Sequence, residues 1–197
     1  MEIEKFQKKY RIPSTRLQNW DYGMNAAYFV TICSKNRDFY FGKIVGKKME
    51  LSEIGKIAQQ YWNEIHNHFP FIELGKFVVM PNHVHGIIVI DKSNNDNKNI
   101  HANDNGHVET PNLGVSTTNP NRNRTIPASQ KWTPASLGVI INQYKRIVTI
   151  NARKINPNFA WQSRFHDHII RNNMEFERIQ NYIINNPIKW TDDDLFV

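Results

Sequence analysis

The chain has 197 residues and a formal net charge of +7 at pH 7, with a pI near 9.5. That length is enough for one domain with a substantial core, or for one domain that carries a sizeable insertion. A net positive charge of this size favours a polyanionic partner such as nucleic acid. No apolar segment is long enough to span a bilayer and no signal peptide opens the chain, so we expect a cytoplasmic protein without a membrane partner.

The single cysteine, Cys33, excludes an internal disulfide and suits a reducing compartment. It lies in Tyr28–Ser34, whose β-branched and aromatic content predicts a strand, so we expect it to pack in the core. Before this strand, basic residues alternate with aromatic ones, a pattern that can follow a phosphate backbone and stack on bases. The candidates for DNA binding in this arm are Lys8, Lys9, Arg11 and Arg16. A solvated arm that packs a few rings onto the domain is at least as good an interpretation.

The next elements follow from hydrophobic periodicity. Phe39–Leu51 has the pattern of a hairpin, and apolar residues at three-four spacing then predict a helix from Ser52 to about His66. Ser52 is placed to cap the start of that helix. The aliphatic, β-branched stretches Phe71–Val79 and His83–Ile90 predict two further strands.

Composition changes abruptly after these strands. Asp91–Lys131 is rich in Asn, Thr, Pro and Gly and has almost no aliphatic residues. It cannot bury enough surface to fold alone, so we interpret 91–131 as a long flexible insertion loop within a single domain that spans 1–197.

The C-terminal third contains two helices and a strand. The first of these helices is predicted from Thr133, an N-cap residue that precedes a proline. Trp161–Ile170 predicts a strand, and Met174–Asn186 predicts a final helix whose N-cap is Asn172 or Asn173. Elements in this order predict an α+β fold, a ferredoxin-like or RRM-like sandwich in which helices pack on a largely antiparallel sheet.

Two His-x-His pairs lie on predicted strands, His83 with His85 and His166 with His168. Alternate side chains of a strand share one face, so the two rings of a pair can converge on one metal ion. Four imidazoles together would favour zinc or another late transition metal over magnesium. The structural alternative is that each ring bonds a neighbour, because an unpaired buried polar group is costly.

The final predicted helix carries a candidate nucleophile. Tyr182 and Asn186 lie one turn apart on the same face, with Glu175 near them. Tyr182 is on the margin of the apolar stripe, where a phenol can reach a cleft. Tyr144 lies in the middle of the preceding helix's apolar face, so we interpret it as a core residue.

Three segments together, Met80–His85, Trp161–Asn172 and Asn181–Pro187, resemble the single-tyrosine HUH transposases of the insertion-sequence family. HUH denotes two histidines that flank a hydrophobic residue. The sequence is most similar to the branch of REP-associated tyrosine transposases. The resemblance extends from Tyr10 to Trp190, apart from the insertion loop.

The resemblance implies roles for particular residues. His83 and His85 match metal ligands, Asn186 matches the position of the third ligand, and Tyr182 matches the nucleophile. The implied cofactor is a divalent metal, Mg²⁺ or Mn²⁺. Three supporting residues of unassigned role complete the candidate site: His168, Arg171 and Glu175.

The same resemblance implies a metal-dependent transposase that nicks single-stranded DNA and transfers the strand through a 5′-phosphotyrosine intermediate. Its partner would be single-stranded or hairpin DNA, and a homodimer is left open. One alternative is a catalytically silent protein of the same fold that binds hairpin DNA or RNA. The other is a zinc hydrolase with four histidine ligands, His83, His85, His166 and His168.

Overall fold

The structure is a computed structural model that describes residue 17, residues 19–93 and 136–192, and residue 195. Four residues predicted to bind DNA, Lys8, Lys9, Arg11 and Arg16, lie outside the described residues. The same holds for residues 94–131, so a single domain with a flexible insertion at 91–131 stays a prediction. In the described part of the chain, no helix combines the length and apolar character that crossing a bilayer requires.

A four-stranded antiparallel sheet forms the centre of the fold. Its strands are β1 (Ala26–Cys33), β4 (Ile72–Val79), β5 (His83–Ile90) and β6 (His166–Ile170), in the spatial order β4-β5-β1-β6. The remaining strands, β2 (Gly42–Val45) and β3 (Lys48–Leu51), form a separate hairpin, as Phe39–Leu51 predicts.

Helices cover both faces of this sheet. On one face, α1 (Glu53–Asn63) and α3 (Leu137–Ile155) pack over the main apolar cluster. On the other face, α4 (Asn173–Asn185) packs over a smaller cluster. The sheet order and the two crossover helices are those of a ferredoxin-like α+β sandwich, so the predicted fold is confirmed.

Successive side chains of β5 point to opposite faces of the sheet and so belong to different clusters. Val84 and Ile88 belong to the main cluster, whereas Ile87 belongs to the smaller cluster beneath α4. His83 and His85 have the parity of Ile87, so both imidazoles face the α4 side of the sheet. The predicted placement of this pair on one strand face is therefore confirmed.

Two predicted helix boundaries differ from the structure. The first helix is interrupted at Glu64, whose backbone (φ −85°, ψ −6°) ends α1 and starts the one-turn helix α2 (Ile65–His68). The helix predicted from Thr133 begins as α3 at Leu137, because Ser136 at the N-cap has extended backbone. Thr133 itself lies outside the described residues.

The strand predicted at Trp161–Ile170 is also shorter, because only its second half forms β6. Trp161 makes an isolated bridge with Ser34, and the next pair on β1 joins Thr31 to His166. From the first contact to the second, the β1 side of the pairing spans three residues, from Ser34 to Thr31, and the β6 side spans five, from Trp161 to His166. Two extra residues on the β6 side therefore bulge out of the pairing. The indole N–H of Trp161 donates to the Lys145 carbonyl on α3, so this side chain is tied to α3.

Candidate active site

His83 and His85 lie side by side beneath α4. Their ring centroids are 4.3 Å apart, and both side chains are buried. In the sheet register they stand opposite Cys33 and Thr31 of β1. Cys33 is buried, as the apolar strand predicts.

His83 holds one ring nitrogen by a hydrogen bond and leaves the other without a partner in the part of the chain that the structure describes. Its Nδ1 lies 2.7 Å from Oδ1 of Asn82, which can only accept, so Nδ1 carries the proton and Nε2 the lone pair. Nε2 is buried and has no hydrogen-bond partner among the described residues. Burial, followed by the positive charge of Arg37, lowers the pKa of His83 to about 3, so this ring is neutral near pH 7.

His85 joins the imidazole pair to the candidate nucleophile. Its Nδ1 lies 2.9 Å from the hydroxyl oxygen of Thr31, and its Nε2 lies 3.3 Å from the hydroxyl oxygen of Tyr182. The ring of Phe29 packs against both, with centroids 5.2 Å from His85 and 6.0 Å from Tyr182. The phenol and the imidazole pair therefore share one space.

Tyr182 owes its position to the way α4 is seated. Ile179 and Ile183 are buried against the sheet, and Tyr182 lies at the edge of this stripe with 43% of its surface exposed. Asn186, one turn later, is only 2% exposed and keeps helical backbone (φ −58°, ψ −44°) although a proline follows it. The helix spacing therefore predicts correctly that Tyr182 reaches a cleft.

That cleft is an open cavity of about 1080 Å³ on the α4 side of the sheet. Its wall includes His85, Tyr182 and Asn186. Four cationic side chains also line it: Arg37, Arg164, Arg178 and Lys189. The sequence gives no signal for this group, because the four residues come from the turn after β1, the bend before β6, α4 and the segment after α4.

The predicted supporting residues lie around the start of α4, and one of them, His168, lines the same cleft as Tyr182. Glu175 accepts hydrogen bonds from Nε2 of His168 at 2.8 Å and from the backbone N–H of Arg171 at 2.9 Å. These contacts hold its carboxylate beside β6, in the first turn of α4. The hydrogen bond from Arg171, followed by that from His168, lowers the pKa of Glu175.

The predicted four-histidine zinc site is wrong. His166 and His85 both stand opposite Thr31, on the two strands that flank β1, so Thr31 lies between them. The other histidine of β6, His168, is bonded to Glu175. Within the described ranges, no group of three or more His, Cys, Asp or Glu side chains is placed to hold a metal ion.

The donor set around His83 fits a different kind of metal centre. Metal-binding histidines commonly hold one ring nitrogen by a hydrogen bond while the other binds the ion, and Asn82 and Thr31 supply such bonds here. Two imidazoles with the side-chain amide of Asn186 nearby would suit Mn²⁺, and Mg²⁺ when substrate oxygens join them. The metal and the ligand roles remain predictions.

Comparison with known proteins gives one relative and a shared fold. No protein-family model matches the sequence. Among solved structures, a REP-associated tyrosine transposase bound to a REP hairpin matches 94% of this chain and 76% of its own, with 17% identity and a TM-score of 0.56. At that identity the likeness shows the fold alone. A proposed transposase from Deinococcus radiodurans matches 89% of this chain and 96% of its own, with 12% identity and a TM-score of only 0.42.

The sequence relative is an uncharacterized protein of Haemophilus influenzae. The two sequences are 35% identical over 185 residues, which cover 93% of this chain and 92% of the relative. Identity at this level over nearly the full length of both proteins shows common descent, so the chain belongs to the same family as the Haemophilus influenzae protein.

Proposed function

We propose that the chain is a transposase-type enzyme that cuts single-stranded DNA and rejoins it through Tyr182. The observation that carries this proposal is the 3.3 Å separation between the Tyr182 hydroxyl and Nε2 of His85 within a cation-lined cleft. The fold shared with a REP-associated tyrosine transposase supports it, as do the sequence segments around His83, Arg171 and Tyr182.

The reaction makes one bond and breaks one. The hydroxyl oxygen of Tyr182 attacks a backbone phosphorus, the bond from that phosphorus to the 3′ oxygen breaks, and the 3′ oxygen leaves as a hydroxyl after gaining a proton. The phenol loses its proton in this step. The product is a 5′-phosphotyrosine, which keeps the phosphate activated so that another DNA 3′-hydroxyl can displace the tyrosine.

A tyrosine hydroxyl ordinarily titrates near pH 10, so it is a weak nucleophile unless its surroundings assist it. His83, His85 and Asn186 would hold the divalent metal, which when bound would neutralise charge on the scissile phosphate. The protein itself contributes orientation, because the packing of α4 on the sheet and the ring of Phe29 hold the phenol beside the imidazoles.

The cations of the cleft would bind the strand on either side of the cut. Arg37, Arg164, Arg178 and Lys189 line the same cavity as Tyr182, and guanidinium groups bind phosphate through paired hydrogen bonds. These contacts would add to those predicted for the N-terminal arm. Binding of a DNA hairpin, as in the related fold, is part of the same proposal.

A covalent adduct tests the nucleophile directly. We expect purified protein with Mn²⁺ to nick a single-stranded oligonucleotide that contains a hairpin and to stay attached to the new 5′ end. Tyr182→Phe should abolish the adduct while DNA affinity is retained, because only the attacking oxygen is removed. Mass spectrometry of the digested adduct should locate the nucleotide on Tyr182.

Two other tyrosines serve as controls. Tyr40→Phe removes a hydroxyl that donates to the Asn158 carbonyl outside the cleft, so adduct formation should be unchanged. Tyr144 is buried and its hydroxyl donates to the Ala58 carbonyl, so Tyr144→Phe should also leave the adduct intact. Loss of the adduct in Tyr144→Phe, with Tyr182→Phe still active, would show that the nucleophile is misassigned.

Salt-sensitive DNA or RNA binding without an adduct in either Mg²⁺ or Mn²⁺ would favour the alternative, a catalytically silent hairpin-binding protein. The cationic cleft is compatible with that function, since strand binding does not require chemistry. Sedimentation of the purified protein with and without DNA would show whether it forms a homodimer, which the resemblance leaves open.

A further inference from the structure

Asn82 directly precedes His83, as the last of the three residues between β4 and β5, and it is fully buried. Its backbone carbonyl accepts hydrogen bonds from the N–H of Ser34 at 2.9 Å and from the Ser34 hydroxyl at 3.0 Å. These bonds fix the main chain of Asn82 against the end of β1. The orientation of its side-chain amide is determined separately.

The side-chain amide connects His83 to the C-terminal segment. Nδ2 of Asn82 donates to the backbone carbonyl of Leu195 at 2.9 Å, across 113 positions of sequence, and Oδ1 lies 2.7 Å from Nδ1 of His83. A carbonyl can only accept, so the Leu195 contact requires the NH₂ group on that side and leaves Oδ1 facing the imidazole. Oδ1 in turn can only accept, so the ring proton must lie on Nδ1 of His83.

We propose that Asn82 is a positioning residue, through which the Leu195 carbonyl fixes the tautomer of His83 and keeps the Nε2 lone pair available to a metal ion. An amide rotated by half a turn would present NH₂ to Nδ1 and force the ring proton onto Nε2. That tautomer has no lone pair to offer at the site. The proposal rests on the proposed function only for the metal, since the tautomer is a property of the protein alone.

The second imidazole provides a contrast within the same site. Nδ1 of His85 faces the hydroxyl of Thr31, and a hydroxyl can rotate to donate or to accept. Thr31 is therefore compatible with either tautomer of His85, whereas the oriented amide of Asn82 is compatible with only one tautomer of His83.

The tautomer can be read in the metal-free, DNA-free protein by nuclear magnetic resonance of ¹⁵N-labelled histidine. The His83 signals are assigned by their loss in His83→Ala, and we expect the directly bonded proton on Nδ1. Asn82→Ala should remove this preference and weaken Mn²⁺ binding about 10- to 100-fold, as loss of a ligand's supporting hydrogen bond typically does. Asn82→Asp should preserve the tautomer, because a carboxylate also accepts from Nδ1, although it removes the donor to the Leu195 carbonyl.

Ser34→Ala is the matched control. It removes a hydrogen bond to the Asn82 backbone but leaves the side-chain connection intact, so the tautomer should persist and Mn²⁺ affinity should stay within about twofold. A wild-type spectrum with the proton on Nε2 would overturn the proposal, even if Asn82→Ala did not fold. So would an Asn82→Asp protein with the ring proton on Nε2 of His83. Because DNA is not involved, a failed adduct experiment leaves these outcomes unaffected.

Discussion

At the scale of single residues, Glu175 fixes the start of α4 to the neighbouring strand. Its carboxylate accepts hydrogen bonds from the Arg171 backbone and from His168, while its own N–H donates to Asn172, the N-cap residue. Both accepted bonds favour the ionised carboxylate and lower the pKa of Glu175. A carboxyl whose pKa falls on folding stabilises the native state above its unfolded pKa and loses that effect as pH falls.

Glu175→Gln should therefore lower the melting temperature at pH 7. The difference in melting temperature from wild type should begin to shrink as the pH falls below about 4.5, the ordinary pKa of a glutamate. It should continue to shrink until the pH lies below the lowered pKa of Glu175 in the folded protein. Thermal unfolding at neutral and acid pH measures this. Glu177→Gln makes the same charge change at an exposed position on the same helix and should have little effect. If the melting temperature of Glu175→Gln were lower than wild type by the same amount at every pH, the carboxylate charge would not be the cause of the lost stability.

Local periodicity predicts some residue positions and not others. Strand alternation places His83 and His85 on one face, and helical spacing places Tyr182 at the edge of a buried stripe, because both patterns depend only on neighbouring residues. The contact between Asn82 and Leu195 joins residues 113 positions apart, and no local spacing encodes it. The same reason explains why the cationic lining of the cleft could not be predicted.

At the scale of elements, α1 lies unusually close to the sheet at Gly86 of β5. A Cβ atom on Gly86 would lie 2.2 Å from Cζ2 of Trp62, which is far inside van der Waals contact. The indole cannot easily move, because its ring packs 5.7 Å from that of Phe77 and 5.3 Å from that of Tyr144. The glycine is thus required by the packing of α1 rather than by a turn.

Gly86→Ala should destabilise the fold by roughly 1–3 kcal/mol, the usual cost of overpacking a core. Urea unfolding monitored by circular dichroism measures the change. Trp62→Leu will be destabilising by itself, but it removes the clashing ring, so the double variant should lose less stability than the two single losses added together. Strictly additive losses would mean that the two residues do not compete for space.

Helix and strand boundaries show where periodicity stops being informative. The apolar stripes predict all three long helices, because each stripe spans several turns. Two extra residues between Trp161 and His166 interrupt the pairing with β1, and the hydrophobic pattern of the sequence does not mark this interruption. Arg164 belongs to this irregular stretch and lines the cleft, so part of the candidate site depends on a feature that the sequence pattern does not reveal.

At the scale of the whole molecule, the two faces of the sheet carry different kinds of side chain. The face under α1 and α3 holds the larger apolar cluster, whereas the α4 face holds the imidazole pair, Tyr182 and the cationic cleft. A net charge of +7 produces a general attraction for nucleic acid, but the cleft concentrates cations around Tyr182. Charges on the two faces should therefore contribute unequally to DNA binding.

Salt dependence separates these contributions. For single-stranded DNA, each lost phosphate contact should reduce the slope of log affinity against log salt by about 0.7, so Arg164→Gln and Lys189→Gln should each have this effect. Lys154→Gln removes the same charge from α3, on the opposite face, and should leave the slope unchanged. Fluorescence anisotropy of a labelled oligonucleotide across a salt series measures all three. Equal slopes for the cleft variants and Lys154→Gln would mean that DNA is bound by the overall charge rather than in the cleft beside Tyr182.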